Sequence, residues 1–402
     1  MKSLEWDNAS WYVSRYNGLI QNKILQDVFI CDCTLREGEQ QAGVILSRKE
    51  KIRIAHLLDE IGIPQLEVGM PAVSAEEEGN IKAIVNERLK SKIIAVCRSV
   101  KEDVDKAEKA GVWGVSCSIP IGVLQIRDKL KWPEEKIIDV ATQITSYAHK
   151  KGFYVILSPY DTTRADPSFL ERFLKTVTRE GWADRIRIVD TVGGAIPETM
   201  GYLVNKMIEV GGRPIEVHCH NDFGLATANT LTAICAGAQV ASTSLNGMGE
   251  RAGCGATEEV AVALRILYGI DMGLDLSKFY EASTLLQTFS GIKLQPHKAV
   301  VGDGAFAQEA GLVVTGFKEN PFTAEAYLPE LVGQKPTILL GKKSGKDSIE
   351  IKLKEMGLSA TEAEITEILQ DVKKHAQDVK ESMEDGAFKT LVLDILKRKK
   401  KE

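Results

Sequence analysis

From Gln26 onward, short apolar runs alternate with longer charged segments of helical period. Eight such runs are found, at 28–31, 66–68, 93–96, 115–118, 154–157, 186–189, 215–217 and 243–245. Between them lie helix-period stretches such as 48–60, 101–109, 134–150 and 167–178. Pro133, Asp166-Pro167 and Ile196-Pro197 mark helix starts, because proline is tolerated in a first turn whose N–H groups have no partner. Near-continuous apolar strands separated by helices indicate a parallel sheet covered by helices. Eight units within about 250 residues is the size of an α/β TIM (β/α)8 barrel. A doubly wound open sheet is the alternative, though it more often has fewer strands.

The rhythm stops near residue 272. The expected organisation is an N-terminal segment (1–25), a barrel (26–272), a small post-barrel subdomain (273–347) and a helical C-terminal region (348–402). The first segment is rich in aromatics (Trp6, Trp11, Tyr12, Tyr16) without clear period, and is expected to pack on the main body. Ser359 with Glu362 reads as a capping pair, and Gly386 as the break between two helices.

Composition narrows the class. A net charge of -5 gives no overall basic field for nucleic acid, and the basic run Lys397–Lys401 reads as a solvated helix end. The seven cysteines are scattered with no Cys-x-x-Cys, so neither a disulfide framework nor a structural zinc site is expected; a reducing cytoplasm fits. No apolar stretch has signal-peptide or membrane-spanning character. The turn-rich stretches 302–307 and 340–346 lack the glycine spacing of nucleotide motifs, and Lys342, Lys343 and Lys346 read as a solvated turn, with an anion contact as the alternative.

Barrel chemistry sits at the carboxyl ends of the strands. Every expected strand here ends in polar residues: Asp32 and Arg36, Glu67, Arg98, Ser118, Asp161 and Arg164, Asp190 and Thr191, His218 and His220, and Asn246. Two of the chain's six histidines form His218-Cys219-His220. On a strand, residues two apart face the same side, so both imidazoles face one way. With Asp32 they make a candidate metal triad that leaves positions open for a chelating substrate. Arg36 is placed to meet developing oxygen charge, and Thr191 and Arg164 to hold a carboxylate. The set suits carbon–carbon bond making or breaking beside a 2-oxo acid. Plainer readings stand beside these. His-x-His pairs are often structural, Arg36 can pair with Glu37 or Glu67, Thr191 can cap a turn, and Glu67 can be an arginine's buried partner. Cys254, on the glycine loop 246–255, reads as a nucleophile, a metal ligand or a passive small residue.

Asp32-Cys33-Thr34-Leu35-Arg36-Glu37-Gly38-Glu39-Gln40, Glu67-Val68-Gly69-Met70-Pro71, Asp190-Thr191-Val192-Gly193, His218 through Ala226, and Asn246 through Gly253 together resemble the DRE-TIM metallolyase superfamily. The chain is most similar to its isopropylmalate, homocitrate and citramalate synthase branch, from about residue 26 to 347, including a post-barrel stretch at 340–345. The resemblance implies a divalent metal (magnesium, manganese, cobalt or zinc) on Asp32, His218 and His220, with Asn246 nearby. It implies Arg36 at the reacting carbonyl oxygen with Glu37 and Glu67 beside it, and Thr191 on the carboxylate. Gln40, Arg98, Ser118 and Arg164 join the expected substrate site, and the arginines suggest an acidic or polar oxo acid such as oxaloacetate or 2-oxoglutarate. Members condense acetyl-CoA or another acyl-CoA with a 2-oxo acid, typically as homodimers. At this length the regulatory domain of leucine-inhibited members, and with it that form of inhibition, is not expected. No nucleic acid or membrane partner is implied.

Two positions depart from the branch. Val313 stands where synthases carry a histidine that helps deprotonate the acyl-CoA methyl, and Ala324 where they carry a tyrosine, with Tyr327 three residues on. Loss of a positioned acid or base typically costs about 10²–10⁴ in rate. The departures keep two alternatives open. One is a lyase or aldolase cleaving a 2-hydroxy acid or its CoA ester, although the Gly-Cys-Pro context of the lyase nucleophile is absent. The other is a non-catalytic barrel that binds a 2-oxo acid.

Overall fold

The computed structural model describes residues 10–399; Trp6, Lys400 and Lys401 lie outside them. Arg15–Leu294 form one compact unit, and the described residues on either side form another.

In the first unit, eight parallel strands close a barrel in chain order. They are β1 (Phe29–Asp32), β2 (Gln65–Glu67), β3 (Lys92–Arg98), β4 (Gly114–Pro120), β5 (Tyr154–Tyr160), β6 (Arg185–Asp190), β7 (Ile215–Cys219) and β8 (Val240–Thr243). The TIM-barrel expectation is therefore met. The last strand lies three residues earlier than the sequence pattern places it: Ile30 pairs with Ala241 and Asp32 with Thr243, which closes the ring and leaves Leu245–Gly247 as a short 3₁₀ turn.

Helices α1 (Arg48–Ile61), α2 (Ala75–Asn86), α3 (Lys101–Ala110), α4 (Glu134–Lys150), α5 (Pro167–Glu180), α6 (Pro197–Gly211), α7 (Ala226–Cys235) and α8 (Thr257–Leu267) follow the strands, and α9 (Phe279–Ser290) follows the last. Their ends have local causes. Ser47 and Glu50 form a reciprocal capping box at α1, and Gly62 ends that helix in the left-handed region. Asp166 caps α5 ahead of Pro167.

Strand alternation decides what faces the barrel interior. Cys31, Ile94, Ile156 and Val240 pack together with Phe29 and Tyr154 in one interior layer. Arg185 and Arg187 of β6, and Glu216 of β7, project among the strands' inner residues, within strands that the sequence pattern presents as near-continuous apolar runs.

The second unit holds β9 (Ala307–Gln308) paired in parallel with β10 (Thr337–Ile338), and helices α10 (Gly311–Glu319), α11 (Lys346–Glu355), α12 (Glu362–Val379) and α13 (Asp385–Lys399). Ile349, Leu353, Ile368, Val372, Phe388 and Val392 are among its core residues. The N-terminal segment divides: Tyr12 N donates to Ala326 O and Leu328 N to Ser10 O within this unit, whereas Lys23 N donates to Cys235 O in the barrel unit. The helix cap is Thr361 with Glu364, not Ser359 with Glu362. Gly386 lies inside α13; the break is at Lys380, in the left-handed conformation.

Glu325, in this unit, is buried with neither carboxyl oxygen hydrogen-bonded. Burial, with Glu330 adding to it, raises its pKa to about 7. The folded state then holds a proton that the unfolded chain has lost, so stability falls as pH rises from about 4.5 to about 7. Glu325→Gln should flatten denaturant-unfolding stability across that window and exceed the parent at higher pH. A parent-like slope in the variant would remove Glu325 as the cause.

Candidate active site

A ladder of buried charges runs up the barrel interior. Arg185 donates to Gln65 Oε1 (2.6 Å) and Glu216 Oε2 (2.5 Å). Arg187 bridges Glu216 Oε1 (2.9 Å) and Glu67 Oε2 (2.6 Å). Glu67 Oε1 accepts from Arg36 Nε at 2.6 Å, and the same guanidinium donates to Glu37. Burial raises the Glu67 pKa, but Arg187 and Arg36 outweigh it and hold the carboxyl well below the usual carboxylate range.

Glu37 ends the ladder against the histidines. After β1 the chain curls tightly: the N–H groups of Arg36, Glu37 and Gly38 all donate to Cys33 O. This brings Glu37 Oε2 to 3.8 Å from His218 Nε2 and its Oε1 to 3.8 Å from His220 Nε2. Burial favours the neutral acid, yet Arg36 and the two histidines prevail and put the Glu37 pKa at about 2.

Both rings are oriented from behind. His218 Nδ1 lies 3.3 Å from Ser242 O and 3.2 Å from Ser242 Oγ, and His220 Nδ1 lies 3.2 Å from Gly253 O. A carbonyl only accepts, so each Nδ1 carries the proton and each Nε2 keeps its lone pair. Burial, then neighbouring His220, lowers the His218 pKa to about 3, and burial lowers that of His220. Two neutral imidazoles and one carboxylate thus converge, and the buried His218 Nε2 has no hydrogen-bond partner. This donor set fits a divalent ion. Gly253 has φ +84°, and a Cβ there would lie 1.9 Å from Gly247 O, so only glycine presents its carbonyl to His220 in this way.

The triad is Glu37, His218 and His220, not the expected Asp32, His218 and His220. Period two explains the difference. Cys31 faces the interior, so Asp32 faces outward, where Thr34 N (2.8 Å) and Thr257 Oγ1 (2.7 Å) donate to it. Burial raises its pKa to about 6 against the hydrogen bonds from Thr34 and Thr257. Asn246 also turns away. Its Nδ2 donates to Ser283 O of α9 at 3.3 Å, and it does not line the cavity.

A cavity of about 470 Å³ opens beside the triad, within the ordinary size of small-molecule sites. Arg36, Glu37, Gln40, Arg98, Ser118, His218 and His220 all line it. Val96, Ser116, Ser158, Tyr160, Arg187 and Val189 also line it, and the strand-end reading did not single these out for the site. Alternation along β3 to β6 from the known inward positions would have found them. Thr191 and Arg164 do not line the cavity. The Thr191 hydroxyl accepts from Asp161 N at 3.0 Å, the turn-holding role. Arg164 pairs bidentately with Asp161, and Arg98, at the cavity wall, with Asp103. Val313 lies in the first turn of α10, in the second unit.

Comparisons with known proteins agree with this geometry. The HMGL-like family model matches residues 27–286, and the homocitrate synthase post-HMGL domain-like model matches residues 300–380. A homocitrate synthase, AksA, from Methanothermobacter thermautotrophicus is 39% identical over 96% of this chain and 98% of its own. A 2-isopropylmalate synthase from Caldanaerobacter subterraneus is 41% identical over 92% of this chain and 96% of its own. Among solved structures, an HMG-CoA lyase from Bacillus subtilis shares the fold, with a TM-score of 0.61 at 19% identity, covering 67% of this chain and 96% of its own. The barrel, the His-x-His pair opposite a post-strand carboxylate and these matches together place the chain in the HMGL-like, DRE-TIM metallolyase family, on its homocitrate, isopropylmalate and citramalate synthase-like branch.

Proposed function

We propose that this protein condenses an acyl-CoA, acetyl-CoA first among them, with a 2-oxo acid to give a tertiary 2-hydroxy acid and free CoA. The observation that carries the reading is the meeting of Glu37 and two unprotonated Nε2 atoms beside Arg36 in one cavity. A divalent ion held by Glu37, His218 and His220 would supply Lewis-acid polarisation of the keto group. Arg36 is tied by Glu67, Glu37 and Gln40, so it presents positive charge to the forming alkoxide without reorganising. In the condensation the acyl methyl loses a proton and its carbon bonds to the keto carbon. The keto oxygen takes the electron pair and then a proton. Water cleaves the thioester to a carboxylate and a thiol. Val313 has no transferable proton, so the methyl proton leaves through another group. The reading extends to a homodimer, in keeping with the branch, and to a cytoplasmic location, which the seven free cysteines support. No helix among the described residues is long and apolar enough to cross a membrane.

Free-thiol release from acetyl-CoA, with manganese or magnesium, tests this across pyruvate, 2-oxoisovalerate, oxaloacetate and 2-oxoglutarate. Release with one oxo acid, abolished by a chelator, is the expected result and names the substrate. No release with any of them overturns the condensation reading, and cleavage of the corresponding 2-hydroxy acid or its CoA ester is then the reaction to assay, with Val313 as the reason.

A further inference from the structure

We propose that Cys33, Cys254 and His218 form a second metal site, selective for a thiophilic divalent ion such as zinc or cadmium, beside the carboxylate–imidazole set. One ligand atom from each of the three lies within 4.8 Å of the other two, and all three residues are buried. A tetrahedral zinc with sulfur at about 2.3 Å holds its ligand atoms about 3.8 Å apart, so small side-chain adjustments close the site. Cys33 shares the inward side of the strand with Cys31 and lies one residue past β1, next to β8; its Sγ is 3.1 Å from Thr243 O. Cys254 comes from the loop after β8, with its Sγ 3.1 Å from Ser244 Oγ. His218 reaches them from β7 and also lines the cavity, which gives an ion a route in.

Donor softness separates the two sets. Carboxylate with imidazole suits magnesium or manganese, whereas two thiolates with imidazole suit zinc or cadmium. Each thiol gives up its proton to water on ligation, so one divalent ion replaces two protons and the buried charge is unchanged. Because both sets draw on His218, a thiophilic ion there competes with an ion held through Glu37. The inference does not depend on which reaction the barrel runs.

Cadmium chloride titrated into the full chain is the test, read by ultraviolet thiolate-to-cadmium charge-transfer absorption. The band should appear, disappear in Cys33→Ser and in Cys254→Ser made separately, and persist in Glu37→Gln. Absence of the band, its survival in Cys254→Ser, or its loss in Glu37→Gln would overturn the site. X-ray absorption of the cadmium-loaded wild-type protein needs no variant: two sulfur ligands with nitrogen support the proposal, and an oxygen and nitrogen shell without sulfur refutes it.

Discussion

Replacing Glu37 with glutamine should leave a folded barrel that has lost at least about 10²-fold in kcat/KM, the scale on which single electrostatic groups act in preorganised sites. The amide keeps the shape of the side chain and removes its charge. It also removes the partner that faces both Nε2 atoms and one of the carboxylates that tie Arg36. Manganese affinity, read by equilibrium dialysis, should fall with the activity. Asp32→Asn is the control that separates the two carboxylates of this motif. Asp32 is hydrogen-bonded to Thr257 on the outer side of β1, so its amide should retain the ion. Loss of the ion in Asp32→Asn with retention in Glu37→Gln would reverse the assignment.

Glu216→Ala should destabilise the barrel by about 3–5 kcal/mol, because it leaves buried arginines without compensation. Glu216 is fully buried and binds both Arg185 and Arg187. Arg185 would keep no carboxylate partner, with Gln65 as a neutral acceptor and its guanidinium over the rings of Phe29 and Tyr154, and Arg187 would keep Glu67. Urea unfolding followed by barrel tryptophan fluorescence reads the change. A loss below about 1 kcal/mol, the scale of a surface ion pair, would mean that water or rearrangement compensates the arginines.

Much of this architecture is legible in the sequence because the parallel strands read as apolar runs and the helices carry their own start signals. Runs at 154–157 and 215–217 fall inside β5 and β7, and the 134–150 segment is α4. What escapes is which way each side chain faces. Counting by two from His218 to His220 is correct; the same count from Cys31 puts Asp32 outside and Cys33 inside. Glu37 escapes as the carboxylate facing the two histidines for a different reason. It is not on a strand, and only the three N–H groups gathered on Cys33 O show that the chain doubles back there. Arg187 and Glu216 escape because single charges within apolar runs look like interruptions, whereas in three dimensions they meet. The Cys33–Cys254 pair has no local spacing at all; closure of β1 onto β8 creates it.

The ladder bears on how this barrel can be rebuilt. In many (β/α)8 proteins the floor is an aliphatic plug and the chemistry lives on exchangeable loops, so the two can be recombined independently. Here Gln65, Arg185, Glu216, Arg187, Glu67, Arg36 and Glu37 link floor to face in one unbroken sequence of hydrogen bonds. Its members come from β2, β6, β7 and the turn after β1. A chimera cut between the halves, taking β6 and β7 from this protein and β1 and β2 from an aliphatic-floored relative, would strand two guanidiniums with a single carboxylate. Recombination is therefore restricted to cuts that inherit both halves of the ladder together.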